Sequence, residues 1–370
     1  MNSRMTVFYR VRAKAGEIEE RARGIAVEQS VEMPVEAIRD KAILAEVVGE
    51  VRRIEDRGEG WFDVEIALAA KTVGDDAGQL LNMLYGNSSI HEDVILSDFR
   101  LPDDLLAKFE GPRQGLEGLR RRAGAKRRAL TCTALKPQGS SPETLGEIAF
   151  EFARGGVDFV KDDHSLAEQA YSPFAERVRA CAKAVRRAAS LTGSATQYVP
   201  NLSGHFGQMQ LQMEIVRAEG ISVVMVAPAI AGFSTVQGLS RAHPDIAFLG
   251  HPTMTGGGRI SPVAMARLFR LIGADAFIFT NYGGRFGISR ETCGAMASAA
   301  RDPWGGKLIS APTPAGGMTP ERVPELLNFY GPDTMLLVGG ALLKAAPGRL
   351  AEETASFARA VADHDYGARA

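Results

Sequence analysis

The chain has 370 residues, 45% of them hydrophobic and 24% charged, with a formal net charge of −1. That length holds two domains, or one large domain with an appendage, and the near-neutral balance excludes a dedicated nucleic-acid or membrane binder, which would need a strongly basic surface. Three cysteines without paired spacing, no run of about 18 apolar residues and no apolar signal core exclude a disulfide framework and a membrane span, and lead us to expect a cytoplasmic protein.

Residues 5–110 read as a mixed α+β unit. Residues 5–11 and 61–69 alternate as half-buried strands do, 45–54 reads as a further strand, and 18–28 and 77–84 carry helical spacing. Residues 98–109 lead into a break at Gly111-Pro112, and the basic run at 119–128 (LRRRAGAKRR) reads as a solvated linker face. The expected division is an N-terminal α+β domain over 1–112, a basic linker over 113–128 and a catalytic domain over 129–370.

From residue 129 strands and helices alternate. Short apolar runs (ALTCTALK, VDFVKDD, TQYVPNLS, SVVMVAP, IAFLGHP, AFIFTNY, KLISAPTP, TMLLVGG) are each followed by an amphipathic stretch, giving eight strand–helix units. Ser-Pro or Thr-Pro at 141–142, 261–262 and 319–320 marks helix starts, an N-cap followed by proline at the first helical position. Eight such units argue for a C-terminal (β/α)8 TIM barrel behind a smaller N-terminal α+β, ferredoxin-like domain, an α/β protein overall. An open doubly wound sheet is the rival, but no G-x-G-x-x-G turn follows the first strand.

In such a barrel chemistry gathers where the strands end. The second strand ends in Lys161-Asp162-Asp163-His164. Side chains two apart on a strand share a face, so Lys161 and Asp163 point one way and Asp162 the other, while His164, past the strand, can turn inward. Such a group binds a cation or moves a proton; on a surface it would be an ion cluster and nothing more. The other strand ends supply Lys136, then Asn201 with His205, His251, Asn281 with Arg285, Gly316-Gly317 and Gly339-Gly340. The glycine pairs after strands seven and eight suit a phosphate cradled by backbone N–H groups. His91 and His364 read as surface residues, and Asp158, at the start of its strand, lies at the wrong face for chemistry.

These residues resemble those of the RuBisCO large subunit, and more closely its non-photosynthetic relatives, the RuBisCO-like proteins. GGVDFVKDDH at 155–164 is similar to the family's GGxDFxKDDE signature, LKPQGSSPETL to its first-strand motif, and GNSSIHEDVILSDFRLPDDLLAKFEGP to the segment joining its two domains. The resemblance implies that Lys161 is carbamylated by CO2 and that its carbamate, Asp163 and His164 hold Mg2+, a hard ion that prefers oxygen. It also implies that Lys136 acts at the substrate's acidic carbon and that Asn201 and His251 contact the substrate. Gly316, Gly317, Gly339 and Gly340 would bind phosphate, and Arg285 falls at the lysine of the loop after the sixth strand. Glu28 and Asn87 would reach into a partner's barrel, making a homodimer or higher homo-oligomer with shared active sites.

Three departures point away from CO2 fixation. His164 replaces a glutamate, so that another divalent ion becomes an alternative to Mg2+. Gln138 replaces a lysine, and Arg285 replaces the lysine that polarises CO2, offering instead a fork for an acidic group on the substrate. The expected function is metal-assisted enolate chemistry on a phosphorylated keto-sugar acid, foremost decarboxylation or transcarboxylation with hydrolysis of 3-oxo-isoapionate 4-phosphate in apiose catabolism. The alternatives are a 2,3-diketo-5-methylthiopentyl-1-phosphate enolase, a methylthioribulose-1-phosphate isomerase, and a regulatory or scaffold protein without catalysis.

Overall fold

The computed structural model describes residues 3–284 and 286–367. It divides into two compact units, residues 1–110 with 254–272 and 304–306, and residues 111–253 with 273–303 and 307–370.

In the first unit β1 (Arg4–Arg12) buries Met5, Val7, Tyr9 and Val11 on one face, as its alternation requires. It is followed by α1 (Ile18–Glu28), α2 (Lys41–Glu46), β2 (Glu50–Asp56), β3 (Trp61–Ala69), α3 (Ala77–Tyr85), β4 (Val94–Arg100) and the short α4 (Asp103–Leu106). The sheet is antiparallel in the order β2-β3-β1-β4, the ferredoxin-like arrangement of a β-α-β-β-α-β chain. The strand expected over 45–54 begins only at Glu50, because Asp40 caps α2 by accepting the Ala42 N–H at 2.8 Å and commits the preceding residues to a helical turn. Strand β4 was not expected. Its burial alternation breaks at Ser97-Asp98, where its pairing with β1 shifts register.

The second unit is the barrel. Helix α5 (Gly115–Ala123) precedes β5 (Leu130–Ala134), α6 (Pro142–Arg154), β6 (Phe159–Lys161) and α7 (Phe174–Thr192). Then come β7 (Gln197–Val199), β8 (Asn201–Leu202), β9 (Val223–Val226), β10 (Ala247–Gly250), β11 (Ala276–Thr280), β12 (Ala311–Ala315) and β13 (Met335–Leu337). All their pairings are parallel, in two runs, β13-β5-β6-β7 and β12-β11-β10-β9-β8. Strands β7 and β8 are one barrel strand interrupted at Pro200, so the count is eight.

Prolines also explain the other gap. In β12 the N–H of Ala311 turns towards β11, donating to Asp275 O, so positions 312 and 314 turn towards β13; both are proline and have no N–H to give. There the Thr334 hydroxyl donates to Pro312 O at 2.8 Å instead.

Inside the barrel Leu130, Cys132, Phe159, Val199, Val223, Met225, Leu249, Ile278, Ala311, Met335 and Leu337 form one core with Leu116, Leu119 and Ala123 of α5. The basic run therefore carries a helix that packs into the barrel, with Arg120 buried and donating to Glu117, Asp333 and the carbonyls of Arg128 and Pro332. At the start of β6, Asp158 accepts two hydrogen bonds from Arg128 and two from Thr131. Of the three expected N-caps, Ser141 and Ser261 accept from Thr144 N and Ala264 N; Thr319 makes no such bond and precedes a 3-10 turn.

Candidate active site

The inward parity of the core runs on into the mouth. Cys132 and Phe159 face the axis, so Lys161, and beyond the strand ends Lys136 and Asp163, continue on the same side; Leu249 leads in the same way to His251. Five of the expected residues meet there. The Lys136 ammonium pairs with Asp163 Oδ2, the Ser165 N–H donates to Asp163 Oδ1 at 3.0 Å, and His164 Nδ1 stands 3.3 Å from the same oxygen. The His164 ring stacks on His251 with centroids 4.4 Å apart and planes 9° from parallel. Lys161, 3% exposed, donates from Nζ to the Asp162 carbonyl at 2.9 Å.

The electrostatics follow from burial and charge. Desolvation pushes the Lys161 ammonium pKa down, with Cys132 and Asp163 opposing. Burial by itself would raise Asp163, yet hydrogen bonds from Lys136 and the Ser165 N–H, with the Lys161 charge, hold it at about 2. Burial, together with Lys161 and His164, takes His251 down to about 2, so its imidazole is neutral. Its Nδ1 accepts the Thr253 N–H at 3.3 Å, which leaves the ring proton on Nε2. Among the described residues no three His, Cys, Asp or Glu side chains form a ready-made cation site; Asp163 supplies one anionic donor and His164 a nitrogen beside it.

Asp162 points away, as alternation predicts. It is wholly buried and accepts from Arg177 Nε at 3.0 Å, Tyr198 OH at 2.7 Å and Asn201 N at 3.1 Å. Asn201 is itself 2% exposed, and its Nδ2 donates to the carbonyls of His164 and Leu166 at 3.1 and 2.9 Å, so its amide N–H groups hold the loop after β6. Sequence reasoning did not find Arg177 or Thr253. A buried carboxylate of the wrong parity at position 162 signals the need for a cation behind the strand; nothing in the sequence marks Thr253.

The two glycine pairs differ. Gly316 and Gly317 take φ of 82° and 76°, the left-handed region that favours glycine. A Cβ on Gly284 would come within 2.3 Å of Gly316 O, so the loop after β11 packs directly on this turn. Gly339 and Gly340 have ordinary φ, and a Cβ on Gly340 would meet nothing within 4 Å. Arg285 lies outside the described residues. His205 caps the helix Phe206–Ala218, accepting the Gln208 N–H at 3.3 Å. In the first unit Asn87 Nδ2 donates to Glu28 Oε1 at 2.8 Å. His91 is exposed; His364 is half-buried, its ring against Tyr366. No helix among the described residues is long and apolar enough to cross a membrane.

The family described as the ribulose bisphosphate carboxylase large chain, catalytic domain, matches residues 115–362. The 5-methylthioribulose-1-phosphate isomerase of Rhodospirillum rubrum is 54% identical over 364 residues, covering 98% of this chain and 97% of that protein. The crystal structure of a Rubisco-like protein from Rhodopseudomonas palustris superposes with a TM-score of 0.92 at 47% identity, over 100% of both chains. That of the rubisco-like protein MtnW from Alicyclobacillus acidocaldarius gives 0.87 at 30% identity, over 97% of this chain and 93% of the other.

Proposed function

The chain belongs to the family of the ribulose bisphosphate carboxylase large chain and is one of its RuBisCO-like proteins, and from that premise we propose that it isomerises a methylthio-pentulose 1-phosphate through an enediolate. The reading is carried by the 54% identity, across 98% of the chain, to a protein named for that activity. Moving a ketose carbonyl takes a proton from one neighbouring carbon and returns it elsewhere. A site for this must hold the phosphate, move the proton and stabilise oxygens that become negative.

Lys136 moves the proton at the acidic carbon. Neutral His251 offers its Nε2–H to a substrate oxygen, and Gly316 and Gly317 take the phosphate with Gly339 and Gly340; Arg285 would grip the additional carboxylate only in the competing keto-sugar-acid reading. Asn201, expected to contact substrate, acts by holding the loop that carries His164. Glu28 and Asn87 complete the site of a second copy, which makes the working form a homodimer or larger.

The residues at the mouth fit a divalent cation. Buried Lys161 is driven towards the neutral amine that takes up CO2. Asp163 is held ionised, and two ligand atoms ~2.1 Å from one ion lie ~3.0 to ~3.4 Å apart, against 3.3 Å between His164 Nδ1 and Asp163 Oδ1. Carbamylated Lys161, Asp163 and His164 would hold Mg2+ or a related ion, which supplies a Lewis acid for the enediolate oxygens.

Decarboxylation or transcarboxylation of 3-oxo-isoapionate 4-phosphate, the foremost expectation from the sequence, has no counterpart among the relatives named above and becomes the competing arm of the test. The protein, preincubated with CO2 and Mg2+, is given 5-methylthioribulose 1-phosphate in D2O and followed by NMR. Deuterium enters the sugar and a new isomer forms, and neither happens with Lys161→Ala. Release of CO2 from 3-oxo-isoapionate 4-phosphate without isomerisation overturns the reading. Inertness of the wild type towards both, with no difference from Lys161→Ala, overturns the reading as well and supports the scaffold alternative.

A further inference from the structure

His164 is where this chain leaves the signature of its family, and the surrounding structure holds that residue from two sides. Its ring lies face to face on His251, at 4.4 Å and 9°. His251 is in turn pinned by Thr253, with Nδ1 2.6 Å from the hydroxyl oxygen and 3.3 Å from the N–H. A stack of this kind engages the π face and opposes rotation of the ring about its last torsion. Behind, Asn201 Nδ2 holds the His164 carbonyl at 3.1 Å. Ring plane and backbone are both restrained, with Nδ1 on the ring edge directed to the side where Asp163 Oδ1 stands.

We propose that His164 is a nitrogen ligand of the active-site cation, oriented by His251 as a positioning residue, and that it turns the site from Mg2+ towards borderline divalent ions such as Mn2+, Co2+ and Zn2+. The inference rests on the cation-assisted reading above and adds the identity of the ion. A carboxylate at this position would give a hard, anionic oxygen. Imidazole gives a borderline donor without charge, and the loss of one negative charge weakens Mg2+ most, because Mg2+ is held almost wholly by electrostatic attraction to oxygen. Coordination uses the ring edge and leaves the stack intact, so the two roles of the His164 ring are compatible. The chain Thr253, His251, His164 then does for a nitrogen ligand what outer hydrogen bonds usually do for metal-bound histidines.

The test reads the ion directly. The full-length protein is preincubated with CO2 and titrated with Mn2+, free ion being followed by electron paramagnetic resonance, and Mg2+ is then added as competitor. Electron spin echo modulation of bound Mn2+ shows coupling to a directly bound nitrogen in the wild type. The coupling is absent in His164→Glu, where the preference for Mn2+ over Mg2+ also narrows by about tenfold. His251→Ala weakens Mn2+ binding by about tenfold, whereas His251→Phe, which keeps a flat ring for the stack, restores most of it. Mn2+ bound without nitrogen coupling, an unchanged ion preference in His164→Glu, or no cation binding at all would overturn the proposal. Isomerase activity is a separate measurement: its absence beside intact nitrogen coupling defeats the functional reading and leaves the ligand assignment standing.

Discussion

Arg177 and Asp162 face each other across 3.0 Å, and neither side chain is reached by solvent. The pair lies behind the strand tip that presents Lys161 and Asp163, so a purely structural contact governs how the reactive residues are displayed. Removing one partner of a buried pair leaves an uncompensated charge, which typically costs about 3–5 kcal/mol. Arg177→Met is therefore expected to lower the stability of the barrel by that amount in urea denaturation. A loss below about 1 kcal/mol would show that Tyr198 and the Asn201 N–H suffice to hold the carboxylate.

Lys136 is half-exposed at the mouth and paired with Asp163, so its replacement should spare the fold. Lys136→Met is expected to cut kcat by about 10²–10⁴, the usual worth of a proton-transfer group, with an unchanged circular dichroism spectrum. Retention of more than about a tenth of the activity would remove Lys136 from the proton path.

At the opposite face, burial pushes the Asp275 carboxyl up to about 6 although the N–H groups of Gly115, Phe248 and Gln114 all donate to it. An unfolded aspartate titrates near ~3.9, so between ~4 and about 6 the folded protein keeps a proton that the unfolded chain has lost. The stability this contributes is fully present below ~4 and is lost as pH rises through about 6, a decline on the order of 2–3 kcal/mol. Denaturation midpoints of wild type and Asp275→Asn, compared at pH ~4.5 and ~7.5, should diverge in the wild type's disfavour at the higher pH. A difference that does not change with pH would contradict the shift.

The proposed sharing of active sites makes a prediction about mixtures. Glu28→Ala and Lys161→Ala proteins, each inactive alone, are expected to regain about a quarter of wild-type activity after unfolding and refolding together. Half of the dimers are then hybrids, and each hybrid has one intact site. No recovery would mean that Glu28 serves its own chain or none.

The barrel was legible because its strands are short apolar runs, each followed by an amphipathic stretch, and eight of these in series allow few other arrangements. Core parity also carried the reading into the mouth: Lys136, Lys161, Asp163 and His251 meet where alternation put them. The misses have local causes. Asp40 captured residues expected to begin a strand, the broken alternation of β4 hid it, and a helix cap took His205. Asn201 was identified as a site residue, but two main-chain carbonyls outside the strand pattern determined what its amide holds.

The prolines of β12 have one more consequence. Without ladder hydrogen bonds at Pro312 and Pro314, the barrel is two hydrogen-bonded arcs joined at Pro200 and along the β12–β13 seam. One arc bears Lys136, Lys161, Asp163 and His164; the other bears His251 and the Gly316-Gly317 turn. A sugar phosphate gripped at both ends would span the two arcs as a staple, so that occupancy of the mouth and cohesion of the barrel rise together.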